Sequence, residues 1–342
     1  MSKMMLGSAC LAAVAGLVAA PAAAQDGAAF YKGKTVKFVV GFGTGGGFDA
    51  YARMIASPLG KALDATVIVE NQPGAGGIIA LNRIAASQPD GLSMMIVDGT
   101  PAALGQLLGQ ENVRYDLTKI DHLGMISSSR FGWLVAVNSP LNSADDVVKR
   151  GTRTLYASSG PTDGPTGSAA FTCEALRVPC RVILGYKGSS DMVLAMQRGE
   201  ADSIFLSDSS SSSLVKSNQA RAIGMLARTR SPLLPDVPTI FEQVKLDADQ
   251  QWLLEFRSNL NDLGRILVTT AGTEASRLAA LRAAVKQVLT EPALVAEGLR
   301  TSRILEYAAP EVAQAKAAGV LSGLSTEQKE RVRHIALKKY LE

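Results

Sequence analysis

Residues 39–53 have the sequence VVGFGTGGGFDAYAR, in which an apolar run ends in a glycine-rich turn and a helix-like segment follows. The apolar run predicts a strand over 35–40, and a helix is expected to begin near Phe48. Three side chains of this helix recur at the spacing of one buried face: Tyr51, Ile55 and Leu59. Pro58 interrupts the pattern, so we expect the helix to kink or restart there.

The same alternation continues outward along the chain. A strand over 66–69 leads into a second glycine-rich loop at 71–77, and a short connection is expected at 127–129. Strands alternating with helices predict an α/β protein with parallel strands. The serine-rich stretch 207–213 is expected to be an ordered loop. The later strands are predicted at 93–97, 133–137, 154–157, 181–184, 203–206 and 222–226.

Length and composition indicate an ordinary globular protein. The chain of 342 residues predicts two domains, and a hydrophobic content of 47% supplies a sizeable core. The net charge of +4 is too small, and too evenly spread, to indicate a nucleic-acid partner.

The N-terminus predicts export. Lys3 precedes an apolar run over 9–20, Pro21 follows it, and the alanines at 22–24 match a small-residue cleavage site before Gln25. The alternative, a membrane anchor, needs about 20 apolar residues, and this run is shorter. We therefore expect residues 1–24 to be a signal peptide and the mature protein to be periplasmic.

Export places the remaining thiols in an oxidising compartment. Cleavage removes Cys10 and leaves Cys173 and Cys180, for which we expect a local disulfide rather than the alternative of a free pair. A metal site is not expected, because only His122 and His334 could join them and both lie far away in sequence. His122 is interpreted as a structural residue near the start of a strand.

Binding is favoured over catalysis. The chain has no Gly-x-Ser-x-Gly motif, no histidine cluster and no pairing of Cys with His, so no enzymatic apparatus and no cofactor are expected. Glycine, serine and threonine instead collect at strand-to-helix junctions, where backbone N–H groups and helix N-termini favour an anion. These loops are 41–49, 72–77, 98–100, 158–167, 186–191 and 207–210.

One alternative is an exported dinucleotide-dependent oxidoreductase. Gly41–Gly46 satisfies Gly-x-Gly-x-x-Gly after a strand, and Glu70 ends the next strand, where a ribose carboxylate would lie. Export and the second glycine loop, directly after Glu70, count against this interpretation.

The ordered motifs resemble the Bug family, the substrate-binding proteins of tripartite tricarboxylate transporters. After 39–53 come VIVENQPGAGG at 67–77, Asp-Gly at 90–91 and Tyr-Lys-Gly at 186–188. The last two motifs are RGEAD at 198–202 and PDVPT at 235–239. The resemblance covers essentially the whole mature chain.

The resemblance implies a two-lobed periplasmic-binding-protein fold that closes like a flytrap, of the type with two crossing connections. Lobe 1 would combine 25–127 with 255–342, and lobe 2 would be 128–254. The implied function is capture of a small carboxylate, whether a di- or tricarboxylate or an aromatic acid. The partners would be the membrane subunits of the transporter, and a monomer is expected.

The expected ligand-binding residues come from both lobes. A glycine with positive φ is expected at Gly46, and Asp163 would place a negative charge near the ligand unless it caps a helix or binds the ligand's polar end. Lobe 1 would supply Phe42, Gly43, Thr44, Gly46, Phe48, Asp49 and Gly77. Lobe 2 would supply Ser158, Ser159, Thr162, Tyr186, Lys187, Asp191, Ser207 and Asp208.

Overall fold

The computed structural model describes residues 22–161 and 163–341. Residues 1–21 of the expected signal peptide, and Thr162, lie outside the described residues. The strands are β1 (Thr35–Val40), β2 (Thr66–Asn71), β3 (Ser93–Asp98), β4 (Asp121–Ser127), β5 (Phe131–Val135), β6 (Thr154–Ala157), β7 (Cys180–Ile183), β8 (Ser203–Ser207), β9 (Arg221–Leu226) and β10 (Arg265–Thr269).

Helices follow most of the strands. A 3-10 turn, Ala75–Gly77, precedes α3, and a π-helical segment, Ile335–Lys339, follows the last helix. The α-helices are α1 (Ala22–Tyr31), α2 (Gly47–Leu63), α3 (Ile78–Ala85), α4 (Gly99–Leu107), α5 (Ala144–Arg150), α6 (Gly164–Leu176), α7 (Ser189–Gln197), α8 (Asp208–Lys216), α9 (Ile240–Gln243), α10 (Ala248–Asp262), α11 (Ala275–Leu289), α12 (Pro292–Arg300), α13 (Pro310–Ser322) and α14 (Thr326–His334).

The strands form two five-stranded sheets. The first has the order β2-β1-β3-β10-β4, and the second has the order β7-β6-β8-β5-β9. The expectation of parallel strands was wrong for β10, which is antiparallel to β3 and β4, and for β5, which is antiparallel to β8 and β9. These two strands carry the chain from one sheet into the other. Each therefore enters its new sheet at the edge where the neighbouring strands end.

The two crossings lie side by side. Residues 128–130 lead from β4 to β5, close to the connection predicted at 127–129. Residues 263–264 lead from α10 to β10. A Cβ at Gly264 would lie 2.1 Å from the Ser127 carbonyl oxygen, so only glycine allows this approach. The chain also returns to the second sheet at its end, where Val182 N–H donates to the Tyr340 carbonyl at 2.8 Å. The lobe boundaries at 127, 128, 254 and 255 stay a prediction.

Helix α2 does not restart at Pro58 but continues to Leu63, and its predicted stripe of Tyr51, Ile55 and Leu59 is buried as expected. The expectation for the serine-rich stretch was wrong. The serine-rich stretch is helix α8 rather than a loop. Its serine hydroxyls find backbone acceptors, as Ser213 donates to the Ser209 carbonyl and Ser211 donates to the Leu206 carbonyl.

The structure also assigns roles to residues that could have been metal ligands. Cys173, in α6, forms a disulfide with Cys180, the first residue of β7. His122 is buried in β4, with Nε2 2.8 Å from the Leu117 carbonyl oxygen, which confirms its structural role. Among the described residues, no group of three or more His, Cys, Asp and Glu side chains could hold a metal ion.

We expect reduction of the Cys173–Cys180 disulfide to lower the free energy of unfolding by about 2–3 kcal/mol, because closing a loop of this size restricts the unfolded chain. Urea unfolding with and without dithiothreitol measures the change. The Cys173→Ala/Cys180→Ala variant is the control and should not respond to the reductant. An unchanged wild-type midpoint under reducing conditions would contradict the disulfide.

Candidate functional site: the cleft between the two sheets

The candidate site lies where the two sheets face each other. At one edge of the first sheet, β1, β2, β3 and β4 end and β10 begins. At one edge of the second sheet, β6, β7, β8 and β9 end and β5 begins. The crossings join these two edges, and Ser129 N–H donates to the Asn261 carbonyl at 3.1 Å between them. The glycine- and serine-rich loops therefore lie at the two joined edges, the position where ligands bind in α/β folds.

The carboxylate of Asp49 organises the first loop from inside. Its Oδ2 accepts from Gly45 N–H at 2.8 Å and from Arg53 Nε at 2.9 Å, and its Oδ1 accepts from Asn71 Nδ2 at 2.9 Å. The hydrogen bond from Arg53 is the main reason that the pKa of Asp49 is lowered to about 2. The carboxylate is thus ionised, and its acceptors are used within the protein.

The rest of the first loop is fixed by Asn71 and by aromatic stacking. Asn71 donates to the Phe42 carbonyl at 3.0 Å and accepts from the Thr44 hydroxyl at 3.2 Å. The rings of Phe42 and Phe48 stack with centroids 4.5 Å apart. Gly43 has open space at its Cα, with no heavy atom within 4 Å of an added Cβ.

The N-terminus of α2 has no side-chain cap. Its N-cap residue is Gly46, and the Asp49 side chain in the first turn is directed back to Gly45. The expectation of a positive φ at Gly46 was wrong, because its φ is −76° and its ψ is 171°. The left-handed residue is Gly45, with φ of +83°. A Cβ at position 46 would meet only the Gly43 oxygen, at 3.5 Å.

The second loop packs closely against the first. A Cβ at Gly41 would lie 2.6 Å from Gly77 Cα, and one at Gly77 would lie 3.7 Å from the Phe42 ring. Gly77 has φ of +91° and is the N-cap of α3, again without a side-chain cap. The structure therefore brings the predicted lobe 1 residues together around two helix starts.

In the second sheet, Asp163 closes the start of α6. Its Oδ1 accepts from Thr166 N–H at 2.9 Å and from the Ser158 hydroxyl at 3.0 Å, and its Oδ2 accepts from the Ser159 hydroxyl and from Gly160 N–H at 2.9 Å. Of the roles open to Asp163, the structure shows the helix cap. The hydroxyl protons of Ser158 and Ser159 are consequently engaged within the loop.

The adjacent loop brings Tyr186, Lys187 and Asp191 next to Ser158. Tyr186 N–H donates to the Ser158 carbonyl, and Lys187 N–H donates to the Asp191 carboxylate, both at 3.3 Å. Gly188 is the N-cap of α7 and provides no side-chain cap. The start of α7 is therefore open, like that of α2.

The last predicted pair, Ser207 and Asp208, begins α8. The Ser207 hydroxyl caps this helix by accepting from Ser210 N–H at 3.5 Å. Asp208 is buried, accepts from the Ser231 hydroxyl at 2.9 Å and lies 4.0 Å from Arg130 Nη1. Burial raises its pKa.

Three charged residues lie near the crossings: Asp98, from the predicted loop 98–100, and two arginines, Arg257 and Arg265, that were not among the predicted site residues. Asp98 caps α4 through Thr100 N–H at 3.2 Å, and burial raises its pKa to about 6. Arg257 is fully buried in α10 and donates to the Gly164 carbonyl at 2.8 Å, and desolvation lowers its pKa to about 10. Arg265 begins β10 and is 8% exposed. No sequence signal singled out the two arginines, because neither α10 nor β10 was predicted.

Residues 51–316 match the family model of the tripartite tricarboxylate transporter family receptor, TctC. The periplasmic binding protein BugD has a TM-score of 0.69 at 22% identity, with coverage of 90% of this chain and 99% of that chain. MatC of Rhodopseudomonas palustris with bound malate has a TM-score of 0.67 at 21% identity, with coverage of 89% and 99%. An R. palustris protein solved with adipate has a TM-score of 0.69 at 20% identity, with coverage of 89% and 97%. These similarities confirm the predicted periplasmic-binding-protein fold.

We expect Asp163→Ala to lower the free energy of unfolding by about 2–3 kcal/mol, because it removes the cap of α6 and leaves the buried Ser158 hydroxyl without its acceptor. Ser143→Ala is the matched control. Ser143 caps α5 through Asp146 N–H alone, so its loss should cost about 1 kcal/mol. Equal costs in urea unfolding would show that Asp163 does no more than an ordinary cap.

Proposed function

We propose, starting from the fact that this chain belongs to the tripartite tricarboxylate transporter receptor family, that it captures a small carboxylate in the cleft between its two sheets. The family consists of binding proteins, not enzymes, so the oxidoreductase interpretation of Gly41–Gly46 was wrong. Glu70, assigned to a ribose in that interpretation, lies in β2 with its carboxylate 3.6 Å from Lys37 Nζ on the neighbouring strand.

The observation that carries the proposal is the open N-terminus of α2. A 17-residue helix begins at the cleft with the free N–H groups of its first turn and the positive end of its dipole. Side chains of the protein close the starts of α4, α6 and α8, but not that of α2. A carboxylate placed there would accept from the backbone near Gly47 and Phe48.

The second sheet would complete the site from the opposite side. The open start of α7 at Gly188, beside Tyr186 and Lys187, offers further N–H donors and a cation. Ser158 and Ser159 would shape their loop rather than supply free donors, because their hydroxyls already donate to Asp163. Asp49 would shape the first loop as an acceptor. A ligand that contacts both sheets favours the closed state in proportion to its differential affinity for it.

Dicarboxylates are the ligand class best supported for this cleft, because two proteins of the same fold are solved with malate and with adipate. The membrane subunits of a tripartite tricarboxylate transporter would receive the ligand. Residues 1–24 would direct export and be removed by cleavage after Ala24, and the protein would act in the periplasm as a monomer.

A thermal-shift screen of the exported protein against mono-, di- and tricarboxylates and aromatic acids tests the class of ligand. An acid at 100 times its Kd should stabilise the protein by about 2.7 kcal/mol, and its methyl ester should stabilise it far less. X-ray scattering with the best acid should show a smaller radius of gyration. The proposal fails if no acid stabilises the protein, or if a tight-binding acid leaves the radius unchanged.

Gly46→Ser tests the open helix start directly. The extended φ and ψ of Gly46 suit a capping residue, so a serine there should accept from the first turn of α2, as Ser207 does in α8. We expect the ligand-free protein to gain a few tenths of a kcal/mol and carboxylate binding to weaken several-fold.

Gly46→Asp should weaken binding further, by tenfold or more, because it adds a negative charge where the ligand's carboxylate would lie. Gly151→Ser, at the far end of α5, serves as a glycine control for binding. Titration calorimetry measures all three variants. Undiminished carboxylate binding by Gly46→Asp would rule out the N-terminus of α2 as the anion site.

A further inference from the structure

Arg265 is a buried cation without a close carboxylate partner among the described residues. It is 8% exposed, and its Nη1 donates only to the hydroxyl oxygens of Ser127 at 3.2 Å and Ser129 at 3.5 Å. Its Nε has no hydrogen-bond partner in the part of the chain that the structure describes. Burying a guanidinium is costly unless an anion accompanies it. The residue is therefore prepared for an anion that is not part of the protein.

The nearest acids are held by other groups. Asp98 is the residue opposite Arg265 in β3, and its carboxylate caps α4. Asp208 accepts from the Ser231 hydroxyl and from Ser209 N–H. Burial raises the pKa of both carboxyls, and neither forms an ion pair with Arg265 within 4.0 Å. They moderate the charge of Arg265 from a distance and leave its N–H groups available.

The position of the guanidinium relates it to the proposed carboxylate site. It lies 4.4 Å from the ring centroid of Tyr51 and 5.4 Å from that of Phe48, and both residues belong to the first two turns of α2. The aromatic faces stabilise the positive charge without using its in-plane N–H donors. Arg265 thus lies beside the open start of α2, at the cleft edge of the first sheet.

We propose that Arg265 binds the second carboxylate of a dicarboxylate whose first carboxylate occupies the N-terminus of α2. The planar fork of the guanidinium matches a carboxylate with two parallel hydrogen bonds. This inference rests on the proposed function and makes Arg265 the residue that selects diacids over monoacids. Arg257 does not share this role, because it is fully enclosed and donates to Gly164 and Ser168.

Titration calorimetry with malate, succinate, adipate and monomethyl adipate tests the assignment. The wild-type protein should bind at least one diacid, and should prefer adipate to its monoester if adipate is that diacid. For the diacid that binds, Arg265→Gln should weaken binding about 10- to 100-fold, the range expected for hydrogen bonds to a charged group. The same variant should leave monoester binding nearly unchanged.

Two further variants separate recognition from folding. Arg265→Lys keeps the charge but loses the fork, so it should restore part of the diacid affinity, and it decides the question if Arg265→Gln does not fold. Arg300→Gln removes an exposed arginine of α12 that pairs with Glu297. This variant should change the affinity for neither the diacid nor the monoester. Thermal midpoints of the ligand-free variants report any structural cost.

The outcomes distinguish the two proposals. If the wild-type protein binds none of the four compounds, the role of Arg265 fails, whereas the proposed function fails only if the wider screen of acids also finds no ligand. If it binds diacids, but Arg265→Gln or Arg265→Lys weakens diacid and monoester equally, the proposed function stands and Arg265 is only structural. Undiminished diacid binding by Arg265→Gln would also overturn the role of Arg265 and leave the proposed function standing.

Discussion

The architecture of the cleft depends on the close passage of two chain segments between the sheets. At Gly264 the returning segment approaches the Ser127 carbonyl so closely that no side chain fits. The strands β5 and β10 enter their sheets at the edges where the neighbouring strands end, so both run against these neighbours. Arg130, the last residue before β5, and Arg265, the first residue of β10, lie at these joined edges.

The helices that begin at this cleft differ in one chemical respect. Asp98, Asp163 and Ser207 cap their own helices, whereas Gly46, Gly77 and Gly188 provide no side-chain cap. A capped start has its orphan N–H groups and its dipole satisfied by the protein, and an open start attracts an external anion. The distribution of caps therefore distinguishes helix starts available to a ligand from those that serve the fold.

Local patterns predicted much of the fold but little of the cleft floor. The strand, glycine turn and helix around Tyr51 follow from periodicity, and β6 (Thr154–Ala157) matches its prediction exactly in extent. The orientation of β5 and β10 depends on the crossings, which no local pattern encodes. Arg265 could not be predicted as a site residue, because it begins a five-residue strand that the sequence pattern did not indicate. Its separation from carboxylates arises only in the tertiary structure. Which residues of the two sheets form one site likewise depends on the tertiary structure and not on the local sequence.

The acids of the cleft raise the question of how an anion could bind beside them. Asp49 lies in the first loop and Asp163 in the opposing one, yet each carboxylate is surrounded by donors of the protein itself. Their negative charges hold the loops in shape from within, and these charges are matched by Arg53 or by N–H and hydroxyl groups. The donors that the loops present to a ligand are the backbone N–H groups at the open helix starts. The anionic residues and an anionic ligand are therefore compatible, because the former create the loop geometry on which the latter depends.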